Sequence, residues 1–237
     1  MKNAARALLL GAAILSTSAA QAQQVKQTRP VPTFQAVHAG GGIDVFLTQG
    51  PTAAVVVDAP AQAQARIRAT VQNGRLEVGW EPGFSWKKLA AGMSSKVSVY
   101  VTCPRLTDLS VSGGSDARGE TPFTTDNLQL SASGGSDIRL TLTAKTLTSS
   151  ASGGGDIYLT GKAGRQSVSV SGGSDYHAFA LQSATTKVEA SGGSDVEVSV
   201  DRELSSDASG GSGVRYKGNA RLVKAHASGG SGVRRVQ

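Results

Sequence analysis

The chain has 237 residues, with 24 Lys and Arg against 17 Asp and Glu, and a formal net charge of +7. That length allows one large domain or two small ones. A single cysteine excludes an internal disulfide, and no apolar run approaches the ~20 residues that would span a bilayer.

The stretch from Met1 to Ala22 carries the pattern of a secretory signal. Lys2 and Arg6 precede the short apolar run "ALLLGAAIL", and "AQA" at Ala20 to Ala22 offers a small-residue cleavage site before Gln23. No cysteine follows the apolar run to accept a lipid, so the mature chain is expected to be exported, to the periplasm or cell surface of a Gram-negative bacterium. Residues 23–33 are expected to form a linker and residues 34–104 a shorter, less regular β region. Within it, "GWEPGFSWKKLAAGM" breaks the strand pattern. Trp80, Phe84 and Trp86 there either form a sugar-stacking platform or fold over the core, the second being the commoner use of such a loop. Cys103, beside Pro104, is expected to be a small half-buried side chain, since no His-plus-Asn context marks it as a nucleophile.

From residue 105 onward one unit recurs. Its leading serines are Ser112, Ser133, Ser152, Ser171, Ser191, Ser209 and Ser228. The step from each to the next stays close to ~20 residues, and a period of that size marks a solenoid, in which no unit can bury its apolar side without neighbours. Ser, Thr, Val and paired Gly select β over α. Leu128, Leu130 and Ala132 alternate with polar residues before one Gly-Gly, and Ile138, Leu140 and Leu142 do so after it. A period of two puts each set on one strand face. The expected fold is therefore all-β: a parallel β-helix of ~19–20-residue coils over residues 105–237, in one domain with the region from 34 onward. Gly113, Gly114 and their equivalents serve the bend, and flanking Ser and Asp cap corner N–H groups.

Three stretches taken in order, "FQAVHAGGGIDVFLTQG", "NGRLEV" and "VSVYVTCPRLTDLSVSGGSD", resemble the adhesin-head GIN domain of exported Gram-negative bacterial proteins. The resemblance runs from about Phe34 nearly to the C-terminus and implies a right-handed β-helix. No barrel-forming region follows the repeats, so self-translocation through an attached barrel is not expected.

Three groups of residues are candidates for function. Asp116, Asp137, Asp156, Asp175 and Asp195 should form a column with one carboxylate per coil. Capping of corner amides is the expected role, and structural calcium the alternative, although calcium-binding nonapeptide repeats place their Gly-Gly-x-Gly-x-Asp unit twice per coil. No cofactor is otherwise expected. A polysaccharide hydrolase or lyase needs an acid and a base in unlike environments, which a monotonous column does not supply. Two positions beyond each Asp stand Arg118, Arg139, Tyr158, His177, Glu197, Arg215 and Arg234, most of them expected on a solvated face. Finally, residues 202–237 carry seven basic residues against Glu203 and Asp207, whereas residues 23–201 carry 15 of each sign. Gly213 and Gly232 replace Asp in the last two coils, which should leave Arg215 and Arg234 unpartnered. With Lys217, Arg221, Lys224 and Arg235 they form a candidate basic patch for a glycan or other anionic envelope partner. The competing role is protection of a terminal edge. Export and the absence of a binding motif argue against nucleic acid. The expected function is a non-catalytic envelope or surface protein, with a carbohydrate-active enzyme and a purely structural scaffold as alternatives.

Overall fold

The alternation in the sequence is an alternation of burial. In β11 (Ile138–Ser152), Ile138, Leu140 and Leu142 face inward while Arg139, Thr141 and Thr143 face solvent. The computed structural model describes residues 23–84 and 96–237. The expected signal peptide and Trp86 lie outside the described residues.

β12 (Ile157–Ser171), β13 (Asp175–Ala190), β14 (Asp195–Ala208), β15 (Gly213–Lys217) and β17 (Gly232–Arg235) stack on β11 in parallel. Along this stack Ile138 lies opposite Ile157, then Tyr176, Val196, Val214 and Val233. The register therefore advances by the same interval as the serine spacing, one coil per repeat. β8 (Asp108–Ser112), β10 (Phe123–Ser133) and β16 (Arg221–Ala227) extend the second wall, and the whole is a β-solenoid of about seven turns. Helix is confined to one turn, Ala61–Gln64, among the described residues.

The N-terminal region does not simply precede the coils. β2 (Ala36–Gly40) lies between β6 (Arg75–Trp80) and β8, all parallel, with Val37 opposite both Leu76 and Leu109. β3 (Asp44–Gln49) likewise lies between β7 (Ser98–Cys103) and β9 (Ala117–Gly119). The chain therefore enters one coil in from the end, runs outward and returns on the far side of its own first coil. β4 (Ala54–Pro60) and β5 (Ile67–Gln72) close that end, antiparallel to β7 and β6. β1 (Gln24–Arg29) then pairs antiparallel with β4, so the segment expected as a linker carries a strand instead. Gln64 holds it there: its amide donates to the Val25 and Val57 carbonyls, and Arg29 donates to Gln64.

The core is a set of columns. Val37, Leu109, Leu130, Ser149, Val168, Val188 and Ser206 follow one another in register. Tyr176 enters the Ile138 column fully buried, and the serine at 149 leaves it room. Its hydroxyl accepts from Gln166 Nε2 at 2.7 Å and lies 3.3 Å from Ser149 Oγ. Thr186 and Ser183 complete this buried polar network. Burial pushes the Tyr176 hydroxyl up to about 12.

Candidate functional site

The Gly-Gly corners bring one aspartate per coil to the same edge of the stack. The column has one member more than the SGGSD copies show. "GGGID" places Asp44 opposite Asp116, and a Cβ on Gly113 would stand 3.4 Å from the Gly41 nitrogen. The motif was legible at 40–44, but Ile43 stands there in place of the usual serine. Three of the five expected carboxylates cap the coil that follows, whereas Asp137 pairs with Arg139 and Asp195 with Arg215. Asp116 Oδ1 accepts from the Asp137 amide at 3.0 Å, Asp156 Oδ1 from Asp175 at 2.8 Å, and Asp175 Oδ1 from Asp195 at 3.0 Å. The Asp44 carboxylate accepts from the Asp116 amide, yet burial and the Asp116 charge hold its pKa above the ordinary carboxylate value. Buried Ser115, Ser136 and Ser174 accept corner amides of the preceding coil. No group of three or more His, Cys, Asp or Glu suited to a metal ion occurs among the described residues.

Two residues further on, a second column runs the length of the same wall. In register it reads Tyr100, Phe46, Arg118, Arg139, Tyr158, His177, Glu197, Arg215 and Arg234. A neighbouring outward column is small over its middle, at Ser110, Ser131, Ser150 and Ser169, and continues into Glu189, Asp207 and His226. The column that begins at Tyr100 is in contact over two stretches, Tyr100 with Phe46 and Arg139 through to Arg215. Tyr100 and Phe46 lie with ring centroids 5.2 Å apart. The Arg139 guanidinium covers one face of Tyr158 at 4.4 Å, and His177 covers the other at 4.7 Å and 16°. His177 Nδ1 then meets Glu197 Oε2 at 3.1 Å, and Glu197 Oε1 meets Arg215 at 3.0 Å. Since neighbours occupy both faces of Tyr158, the stack offers solvent its ring edge and its polar tip. A shallow groove of about 510 Å³ follows this stack, lined by Arg118, Arg139, Tyr158, His177, Phe179 and Glu197 with Thr141 and Thr160. A bulge in β13 between Tyr158 and Thr160 of β12 brings Phe179 to its rim, where Lys217 Nζ lies 4.8 Å from the ring.

Arg215 is not unpartnered. It reaches back to Asp195 at 3.5 Å and Glu197 at 3.0 Å. Gly213 makes this pairing feasible, because Asp195 Oδ1 lies 2.5 Å from where a Cβ at 213 would stand. Arg221 pairs with Glu203 at 3.0 Å and Lys224 with Asp207 at 2.8 Å, while Arg235 donates to Asn219. Half of the expected basic patch, Arg215, Arg221 and Lys224, is therefore matched by carboxylates of the coil before, which single-strand inspection could not show. Such exposed pairs are individually weak.

Trp80 is turned inward from the open-platform arrangement. Its Nε1 donates to the Gly41 carbonyl at 2.8 Å, and its ring meets Phe84 at 5.4 Å. Arg66 lies over the Phe84 ring at 5.7 Å. Cys103 is fully buried rather than half-buried, and burial raises its thiol to about 11.

Residues 33–220 match the model of the family described as "Putative auto-transporter adhesin, head GIN domain". Among solved structures, a putative adhesin from Bacteroides fragilis superposes with a TM-score of 0.82 at 20% identity, covering 90% of this chain and 97% of that one. One from Parabacteroides merdae gives 0.69 at 19% identity over 91% and 97%. A putative lipid binding protein from Parabacteroides distasonis gives 0.71 at 14% identity over 90% and 97%. At such identities the likeness is one of fold. No curated protein matches the chain in sequence.

Proposed function

Since the chain belongs to the GIN-domain family of auto-transporter adhesin heads, we propose that it is an exported, non-catalytic protein of the cell envelope or surface, and that the stacked column of its charged wall binds a glycan. One observation carries this: Arg118, Arg139, Tyr158, His177 and Glu197 form an in-register run of large aromatic and charged side chains, and that run lines a groove. The signal-like stretch from Met1 to Ala22 supports export.

Polar tips recur every ~4.8 Å along the column, the spacing of adjacent strands. Because the ring faces are already covered, a saccharide is held by hydrogen bonds to the tips of Arg118, Arg139, Tyr158 and the Thr141 and Thr160 hydroxyls. Stacking has preset the Arg139 and Tyr158 tips, which reduces the side-chain ordering that binding must otherwise overcome. Catalysis fits poorly. Glu197 is the one carboxylate among the groove's lining residues, and it is held by His177 and Arg215, whereas glycosidases use two carboxyls at a set separation.

The test is a glycan array, followed by calorimetry on residues 23–237. Arg139→Ala and Tyr158→Ala should each weaken the best ligand about tenfold, the loss of roughly one hydrogen bond. Arg165→Ala, exposed on another wall, should not. Equal binding by all variants, or no glycan ligand at all, would refute the proposal. Polysaccharide turnover lost in Glu197→Gln would favour an enzyme instead.

A further inference from the structure

Among the described residues, the coil made of β16 and β17 leaves a sheet edge open. There β16 pairs with β14 alone, and β17 with β15 alone, among the described residues. All of β16 is exposed, including Leu222 at 39% and Val223 at 56%. The charge on this edge has one sign. Residues 208–237 contain no Asp or Glu but six Lys or Arg. Further in, Arg215, Arg221 and Lys224 each take a carboxylate from the coil before. Arg234 lies over Arg215 instead, and beyond Asp207 the sequence offers it no side-chain carboxylate.

We propose that this edge accepts one more strand from another polypeptide: an extended segment in which acidic and apolar residues alternate. Strand addition supplies main-chain hydrogen bonds, and alternate side chains supply specificity. The backbone is arranged for it. Ala220 and Ser228 donate their amides to the preceding coil at 3.1 Å, and by strand alternation the amides of Ala225 and Ala227 point to the open side. Apolar residues of the incoming strand cover Leu222 and Val223, and its carboxylates meet Arg234 and the Arg221 and Lys224 heads. A second copy of this chain does not fit. Among the described residues its other open edges, β1 "QVKQTR" and β5 "IRATVQ", carry Lys26, Arg29 and Arg68 and no acid. The C-terminal edge set against itself opposes cation to cation, which raises the cost of that pairing.

The probe is a fluorescent peptide alternating Val and Glu, compared with its Val–Lys counterpart, on residues 23–237. The acidic peptide should bind, weaken as salt rises because exposed charges are screened, and slow amide exchange in β16 and β17. Arg234→Glu should weaken it about tenfold. Ala225→Pro should abolish binding while the melting temperature holds, since it removes an outward donor and no internal bond. Tyr158→Ala, on the proposed glycan wall, should leave peptide binding unchanged. Equal binding of both peptides, binding of neither, full binding by Ala225→Pro or Arg234→Glu, or self-association in place of peptide binding would each overturn the inference.

Discussion

Gly134 adopts φ 67°, and a side chain there would press within 3.4 Å of the Gly113 nitrogen in the coil before. Gly134→Val should therefore cost about 1–3 kcal/mol, the range for strain at a left-handed position. Gly161 is more restricted, because an added methyl at its φ of 114° collides with the Leu142 carbonyl. Gly161→Ala should lower the thermal midpoint further than Gly134→Val, and the reverse order would show that the bulge relaxes readily. Tyr176 poses a different problem, that of a buried hydroxyl in an aliphatic column. Removing it in Tyr176→Phe leaves Gln166 Nε2 without its 2.7 Å acceptor. That should cost ~1–3 kcal/mol in urea unfolding, as for a buried polar group left unpaired. A neutral result would mean that water replaces the hydroxyl.

Strands and corners set the behaviour of the aspartate column. Asp44 has a pKa raised first by burial and second by Asp116, with Lys96 opposing. A carboxyl raised in the folded state is ionised at a cost. Its contribution is most favourable below the unfolded value and is lost as pH rises through the folded one. Asp44→Asn removes that loss, so it should raise the melting temperature at pH 7 and make no difference near pH 3. A gain of equal size at both would point to packing rather than charge. Further along the column, Asp116, Asp156 and Asp175 already commit one oxygen each to a main-chain amide. Chelator should accordingly leave the melting temperature unchanged. Calcium stabilisation that disappears in Asp137→Asn/Asp156→Asn would reverse this assignment and make the column a cation site.

At the scale of the whole molecule the solenoid is close to one-dimensional, each coil resting on its two neighbours. Stability should then vary along the axis. β11 to β13 are covered on both sides, whereas among the described residues β16 and β17 each pair with one strand and leave an exposed outer edge. Native-state amide exchange should be fastest in β16 and β17 and slowest in β11 to β13. Uniform protection would mean that the last coil unfolds only with the whole. The coil of β2 and β3, though first in sequence, should also be well protected, because it is held between strands that come later in the chain.

The all-β class, the coil length and the bends were written locally. Alternation of period two, glycine pairs and their spacing are properties of a few neighbouring residues, and steric rules translate them into strands and corners wherever they occur. The aspartate column follows from the same repeat, and Asp44 could have been added from "GGGID". Tertiary structure alone decided what the repeat does not state. Threading β2 and β3 between β6 and β8 and between β7 and β9 joins strands far apart in sequence. No periodicity spans that interval. The partners of Arg215 were equally hidden, because Asp195 and Glu197 belong to the preceding coil and Gly213 matters only as space for a neighbour's carboxylate. Arg139, Tyr158, His177 and Glu197 were each visible as letters at a fixed offset. Their union into one stacked wall required the in-register pairing that stacking the coils supplies.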